Sequence, residues 1–172
     1  MKIFLVGYMG SGKSTTGSKL ASLLNMEHID LDRLFEERYK ISIVDFFNKY
    51  DEKAFRLIEH QLVKKTASLE GYVISTGGGT PCFHGNMELI NTYGLTVYLR
   101  MSPEALFLRL KNSKRPRPLT HLLSDHELKQ RIIDDLTYRE TFYKKAAIIT
   151  DAEDLDVEVL AGRIGQQHSG SS

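Results

Sequence analysis

Cysteine is nearly absent: Cys82 is the single one in 172 residues. A lone thiol forms no internal disulfide, so the expected compartment is the reducing cytoplasm. No apolar run approaches the roughly 20 residues of a membrane-spanning helix, so no membrane partner is expected. The opening Met-Lys-Ile-Phe-Leu-Val is too short for the apolar core of a secretory signal and runs straight into a glycine loop. Excess charge is missing too, with 23 Lys+Arg against 22 Asp+Glu and a formal net charge of +1. That balance excludes a polybasic nucleic-acid coat or an acidic disordered tail as the main business, so no nucleic-acid partner is expected. There is no internal repeat and no domain linker. What is present, 41% hydrophobic and 26% charged residues, is the composition of an ordinary soluble globular protein. The length fits one domain, expected over 1–165, with the polar, Gly/Ser-rich 166–172 as a disordered tail. Nothing demands more than a monomer.

Short apolar runs alternate with amphipathic stretches, the signature of βαβ units and a parallel sheet. Strands are expected at 3–6, 28–30, 72–75, 95–99 and 146–150. Residues 33–69 favour helix, with Phe46, Phe47, Phe55, Ile58, Leu62 and Val63 as the expected buried set. Ser102-Pro103-Glu104 is a good helix start, with Ser as N-cap and Pro in the first turn. Residues 112–124 break the regularity with two prolines, three cations and no apolar period, and read as an exposed mobile loop. The fold class is α/β, three-layered, around a five-stranded parallel sheet.

Gly7-Tyr8-Met9-Gly10-Ser11-Gly12-Lys13-Ser14 matches the phosphate-loop pattern G-x-x-x-x-G-K-[ST] in full. An apolar strand precedes it and a helix pattern follows, which disfavours a chance match in a glycine-rich turn. The glycines let successive N–H groups curl around a β-phosphate, and the next helix aims its positive end at the same place. Lys13 supplies charge for the β- and γ-phosphates, and Ser14 offers a hydroxyl to Mg2+. Gly10, Ser11, Gly12, Lys13, Ser14 and Thr15 are therefore the candidates for binding a nucleoside triphosphate.

Asp30-Leu31-Asp32 ends the second strand, where ligands of parallel α/β sheets lie. One carboxylate can hold Mg2+ through water while the other accepts a proton from a substrate hydroxyl. Equally, Asp32 can simply N-cap the helix beginning at Arg33. Gly77-Gly78-Gly79 ends the third strand, where many phosphate-loop folds bring an acid to the metal; here only Ser75 and Thr76 stand. The glycines suggest backbone pressed against a ligand, or else a flexible turn before Pro81. Arg56 and Arg139 lie on amphipathic stretches, and each alone reads as a solvated charge. Arg115 and Arg117, in the proline-rich loop, are suited to close over a triphosphate. His121 and His126 read as solvated, Cys82 as inert filler, and Asn48-Lys49-Tyr50-Asp51 as a coincidental match to a guanine-reading string.

These blocks, in this order, resemble the shikimate kinases from Lys2 to about Arg163. The resemblance rests on Gly7 to Ser14 with Thr15-Thr16-Gly17, Asp30-Leu31-Asp32, Phe55-Arg56-Leu57-Ile58-Glu59, Ile74-Ser75-Thr76-Gly77-Gly78-Gly79, Arg117-Pro118-Leu119, and Arg139 with Tyr143 and Ala146. It implies a nucleoside-monophosphate-kinase-like fold with strand order 2-3-1-4-5, a substrate-binding region at about 32–60 and a lid at about 112–124. It also implies transfer of the γ-phosphoryl of ATP to the 3-hydroxyl of shikimate, with Mg2+. In that scheme Lys13, Asp32 and Arg117 are catalytic, and Asp32 orients or deprotonates the hydroxyl. Asp30 supports Mg2+ through water beside Ser14. Arg56 and Arg139 clamp the shikimate carboxylate, Gly78 and Gly79 approach the ring, and Phe47 and Phe55 wall it. Arg117 reaches the phosphates from the lid. The chain departs from the family there: Thr120 follows Pro118-Leu119 and an extra Arg-Pro precedes them, so Arg115 shares or competes for that role. Arg109 and 152–156 are the candidates for the adenine.

Overall fold

Strand β1, Lys2–Val6, is buried along its whole length, because it lies at the centre of the sheet and helices cover both faces. The computed structural model describes residues 1–113 and 123–169. The remaining strands are β2 (Glu27–Asp30), β3 (Tyr72–Ser75), β4 (Leu95–Arg100) and β5 (Ile148–Asp151). All pair in parallel, in the order β2-β3-β1-β4-β5. Phe4 stands opposite Ile74 on one side and Thr96 on the other, and the all-apolar run of β1 is what a strand buried on both faces requires.

Helix α1 (Lys13–Leu24) follows the phosphate loop, and α2 (Leu31–Tyr39), α3 (Ile43–Lys49) and α4 (Glu52–Lys65) follow β2. The stretch 33–69, read as one helix-favouring run, is thus three helices and a short 3-10 turn. Lys40 adopts a left-handed φ of 54° after α2. Ser42 then caps α3 by accepting from the Asp45 N–H, and Asp51 caps α4 by accepting from the Ala54 N–H. Asp51, the last residue of the guanine-like string, is therefore a helix cap. Of the expected buried set, Phe46, Phe55, Leu62 and Val63 are buried, while Phe47 and Ile58 are only partly so. Phe35, Phe46, Phe55 and Leu62 form a small apolar cluster separate from the main core around the sheet.

Beyond β3 come α5 (Asn86–Tyr93), α6 (Pro103–Lys111), α7 (Asp125–Tyr143) and α8 (Val157–Ser169). Ser102 caps α6 with Pro103 in its first turn, as expected. Strand β5 begins two residues later than its sequence suggests. The Ala146 N–H bonds back to the Tyr143 carbonyl, and the Ala147 N–H is taken by Thr96 Oγ1 rather than by a strand partner. Helix α8, anchored by the fully buried Leu160 and Ile164, continues past Gln166 to Ser169, so the first residues of the expected tail are helical. Most of the expected lid, with Arg115, Arg117 and His121, lies outside the described residues. Among the described residues, no helix is long and apolar enough to cross a membrane.

Candidate functional site

The carboxyl ends of β1, β2 and β3 open onto one mouth, the position at which parallel α/β sheets hold ligands. The phosphate loop leaves β1 through Gly7, Gly10 and Gly12, with φ of 146°, 85° and 92°. At Gly7 a Cβ would lie 2.8 Å from the Leu99 carbonyl oxygen, so the loop needs both the freedom and the small size of glycine there. Lys13 Nζ donates to the Gly7 and Tyr8 carbonyls, each at 2.8 Å. No side chain caps α1, whose N-cap is Gly12. Among the described residues, Ser11 Oγ in this loop is the one buried side-chain polar atom without a hydrogen-bond partner. A buried hydroxyl left over in a native fold is one that a ligand can satisfy. Arg109 spans the loop's outer side, reaching the Gly10 carbonyl at 3.3 Å and the Ala152 carbonyl at 3.5 Å. It thereby ties the phosphate loop to the 152–156 segment, the other candidate for the adenine.

The two acids on β2 divide their work. Asp30 Oδ1 accepts the N–H groups of Asp32 and Arg33 at 3.0 and 3.2 Å, capping α2. Its Oδ2 accepts the hydroxyl of Ser14. The cap read as an alternative role for Asp32 thus belongs to Asp30, because α2 begins at Leu31. Asp32 Oδ1 instead lies against the glycine run, 2.7 Å from where a Cβ on Gly77 would stand. Its carboxyl is pushed up to about 6, first by burial, then by the carboxylates of Asp30 and Glu59, with Lys13 and Arg56 opposing. Ser75 and Thr76, at the place of the missing third-strand acid, are committed to the scaffold. Ser75 Oγ donates to the Lys13 carbonyl and Thr76 Oγ1 to the Leu5 carbonyl.

The glycine run is the seam between two arginines. A Cβ on Gly79 would stand 2.5 Å from Arg56 Nη2, and one on Gly78 would stand 3.4 Å from Arg139 Nη1. Arg56, on α4, donates through Nη1 to Glu59 at 2.8 Å and through Nη2 to Glu52 at 3.1 Å. Its guanidinium lies 4.2 Å over the Phe83 ring and 5.2 Å over Phe55. Glu59 is held in turn by Thr80 Oγ1 at 2.5 Å. Arg139, on α7, lies 3.5 Å from Asp135 and 5.1 Å over the Tyr8 ring. Tyr143 donates its hydroxyl to the Gly78 carbonyl. Phe55, expected as a wall of the substrate site, is buried in the small apolar cluster, and the half-buried Phe47 packs on it at 5.0 Å.

The structure therefore brings together Gly10, Ser11, Gly12, Lys13, Ser14 and Thr15 on the loop, Asp30 and Asp32 on β2 and α2, and Arg56, Gly78, Gly79 and Arg139 opposite. Arg117 lies outside the described residues. Three participants had no individual role in the sequence: Tyr8, Thr80 and Asp135, while Gly77 was read there only as part of the glycine run. Glu59 was legible as part of its block, since Arg and Glu three apart on a helix face each other. Cys82 is buried with its thiol pushed up to about 11 by burial, which makes it inert. His126 lies exposed in the first turn of α7.

The donors suit a hard divalent cation. Ser14 Oγ and Asp30 Oδ2 adjoin, and Mg2+ typically takes only one or two protein oxygens beside phosphates and water. Cations on two sides, an acid titrating near 6 between them and a phosphate loop below can join a triphosphate to a small anionic acceptor and handle its hydroxyl proton.

A family model described as shikimate kinase matches residues 9–168. A shikimate kinase of Parabacteroides distasonis is 45% identical over 157 residues, covering 91% of this chain and 91% of that protein. Another, from Azobacteroides pseudotrichonymphae, is 48% identical over 149 residues, covering 86% and 88%. The crystal structure of shikimate kinase from Bacteroides thetaiotaomicron has a TM-score of 0.91 at 40% identity, covering 98% of each chain. The shikimate kinase of Acinetobacter baumannii, solved in complex with shikimate, has a TM-score of 0.85 at 30% identity, covering 99% of this chain and 94% of that one. A deoxyadenosine kinase from M. mycoides, at 20% identity and a TM-score of 0.58, shares the fold alone.

Proposed function

This chain belongs to the shikimate kinase family, and from that premise we infer that it transfers the γ-phosphoryl of ATP to the 3-hydroxyl of shikimate. The products are shikimate 3-phosphate and ADP, on the route to chorismate and the aromatic amino acids. The observation that supports the reading best is the pair Arg56 and Arg139 facing Gly79 and Gly78, with Asp32 against Gly77. A carboxylate between two guanidinium forks presents its ring to the acid and, beyond it, to the phosphate loop.

Phosphoryl transfer needs positioning and charge more than covalent help. Lys13, Gly10, Ser11, Gly12 and Thr15 hold the nucleotide, and the Lys13 ammonium follows the β- and γ-phosphates. Ser14 and Asp30 would hold Mg2+, which would supply positive charge against the phosphates. Asp32 orients the 3-hydroxyl and accepts its proton, and a carboxyl near 6 is well matched to that work close to neutral pH. Arg56 and Arg139 clamp the carboxylate, which suits planar forks. Glu52, the exposed partner of Arg56, is the one that the incoming carboxylate displaces at little cost. Arg117 is assigned to the phosphates by the family resemblance alone. We propose a cytoplasmic monomer, in keeping with the lone buried thiol.

A coupled assay for ADP release tests the assignment. ATP turnover is expected to depend on shikimate, and gluconate, the acceptor of other small-hydroxyacid kinases of related fold, is expected not to replace it. ATP turnover independent of shikimate would sink the reading, as would preference for gluconate.

A further inference from the structure

The phosphate-loop pattern leaves its second residue open, yet here that residue is a tyrosine and it is 3% exposed. The Tyr8 main chain belongs to the nucleotide site, its carbonyl accepting from Lys13 Nζ at 2.8 Å. The side chain turns the other way. Its hydroxyl donates to Asp135 Oδ2 at 2.7 Å, across 127 positions of sequence. The same carboxylate oxygen is 3.5 Å from Arg139 Nη2 and 3.4 Å from Arg131 Nε. The Arg139 guanidinium also lies 5.1 Å over the Tyr8 ring. Tyr8 thus meets Arg139 twice, face-on through its ring and end-on through Asp135.

We propose that Tyr8 is a positioning residue for Arg139: a phosphate-loop side chain that sets the arginine's aim at the acceptor's carboxylate. The inference rests on the reading of Arg139 as a partner of that carboxylate. Arg139 can swing about its long stem. The ring offers a flat face that fixes the plane of the guanidinium, and the hydroxyl holds the Asp135 carboxylate where it fixes the fork's rotation. Preorganisation of this kind raises affinity by removing an ordering cost at binding. Because Tyr8 also lies in the loop that wraps the phosphates, the aim of Arg139 is tied to the shape of that loop. The contact on Gly78 closes the unit, since a Cβ there would meet both the Met9 N–H nitrogen, at 3.2 Å, and Arg139 Nη1, at 3.4 Å.

The test is equilibrium titration of shikimate and of its uncharged methyl ester into the full chain and four variants: Tyr8→Phe, Asp135→Leu, Arg139→Ala and Tyr8→Phe with Arg139→Ala. Tyr8→Phe keeps the ring and removes the hydroxyl, so the shikimate Kd is expected to rise roughly three- to tenfold, and the ester Kd to stay within about twofold. Asp135→Leu leaves the loop sequence intact and is expected to reproduce that selectivity. Arg139→Ala is expected to weaken shikimate binding by more than about tenfold, and the double variant to bind no worse than Arg139→Ala. In steady state the Tyr8→Phe loss is expected to be larger in KM for shikimate than in kcat. A normal shikimate Kd in Tyr8→Phe and Asp135→Leu beside an impaired Arg139→Ala would overturn the inference. So would equal losses for acid and ester, or a full Tyr8→Phe loss added on top of Arg139→Ala. Normal shikimate binding by Arg139→Ala would instead overturn the carboxylate assignment beneath it.

Discussion

Glu59 holds Arg56 by one carboxylate oxygen and Thr80 by the other: Oε2 accepts from Arg56 Nη1 at 2.8 Å and Oε1 from Thr80 Oγ1 at 2.5 Å. Glu59 is buried and its arginine nearly so, at 5% and 11% side-chain exposure. Removing one member of a buried pair leaves the other without compensation. Glu59→Ala is expected to lower unfolding free energy by about 3 kcal/mol and to raise KM for shikimate. Urea denaturation followed by steady-state kinetics measures both. An unchanged denaturation midpoint would show that the pair is not structural.

Asp32 carries opposite demands on stability and activity. Its carboxyl is raised from 3.8 to about 6 in the folded chain, so folding favours its protonated form. Its contribution to stability is fully favourable below the unfolded value and is lost as pH rises through about 6. Asp32→Asn is therefore expected to stabilise the ligand-free protein at pH 8 by on the order of 1–3 kcal/mol, and hardly at all below the unfolded value. The same substitution is expected to lower kcat by roughly 10²–10⁴-fold. In the unmodified chain, kcat/KM is expected to fall as pH drops below about 6. Thermal melts and rate profiles across pH check these signs, and an Asp32→Asn variant less stable at pH 8 would contradict them.

Two glycines give opposite outcomes for the same methyl group. On Gly77 a Cβ would stand 2.7 Å from Asp32 Oδ1, 2.8 Å from Thr80 Oγ1 and 3.0 Å from Glu59 Oε1. Gly77→Ala is expected to lose about 1–3 kcal/mol of stability and more than about tenfold in kcat/KM. Gly162 is exposed on α8 with nothing within 4 Å of a Cβ. Gly162→Ala is expected to gain about 0.5–1 kcal/mol with no kinetic change. Parallel melting and activity measurements on the two variants separate the cases.

Arg139 and Arg117 are expected to fail in different parameters. Arg139→Ala removes a carboxylate partner and should raise KM for shikimate. Arg117→Ala removes charge needed as the phosphoryl group moves and should lower kcat. If both variants alter only the apparent ATP affinity, the two assignments are wrong.

Local chemistry was legible in the sequence wherever it constrains neighbouring residues. The phosphate loop is specified by eight consecutive positions, and Ser102-Pro103 by two. The breaks within 33–69 were also written locally, in the caps Ser42 and Asp51, but the helix-favouring composition around them masked the signal. The division of work between Asp30 and Asp32 was not legible, because which one caps α2 turns on a single residue at the end of β2. Phe47 and Ile58 have the right spacing for burial yet stay partly exposed, since the small cluster around Phe35 is filled by Phe46, Phe55 and Leu62. Tyr8 and Asp135 meet across 127 positions of sequence, and no local pattern records such a meeting.

The central place of β1 governs when the protein can fold. Lys2 pairs with Tyr72 and Ile3 with Leu95, so β1 leaves the ribosome well before either of its partners and waits for them. Until then a segment apolar from Ile3 to Val6 emerges unpaired, in the kind of non-local topology that folds slowly and exposes sticky strand edges. The phosphate loop hangs from that segment, so nucleotide has no site to bind on the nascent chain before β3 and β4 have closed around β1. ATP can therefore stabilise the finished protein but cannot template its assembly.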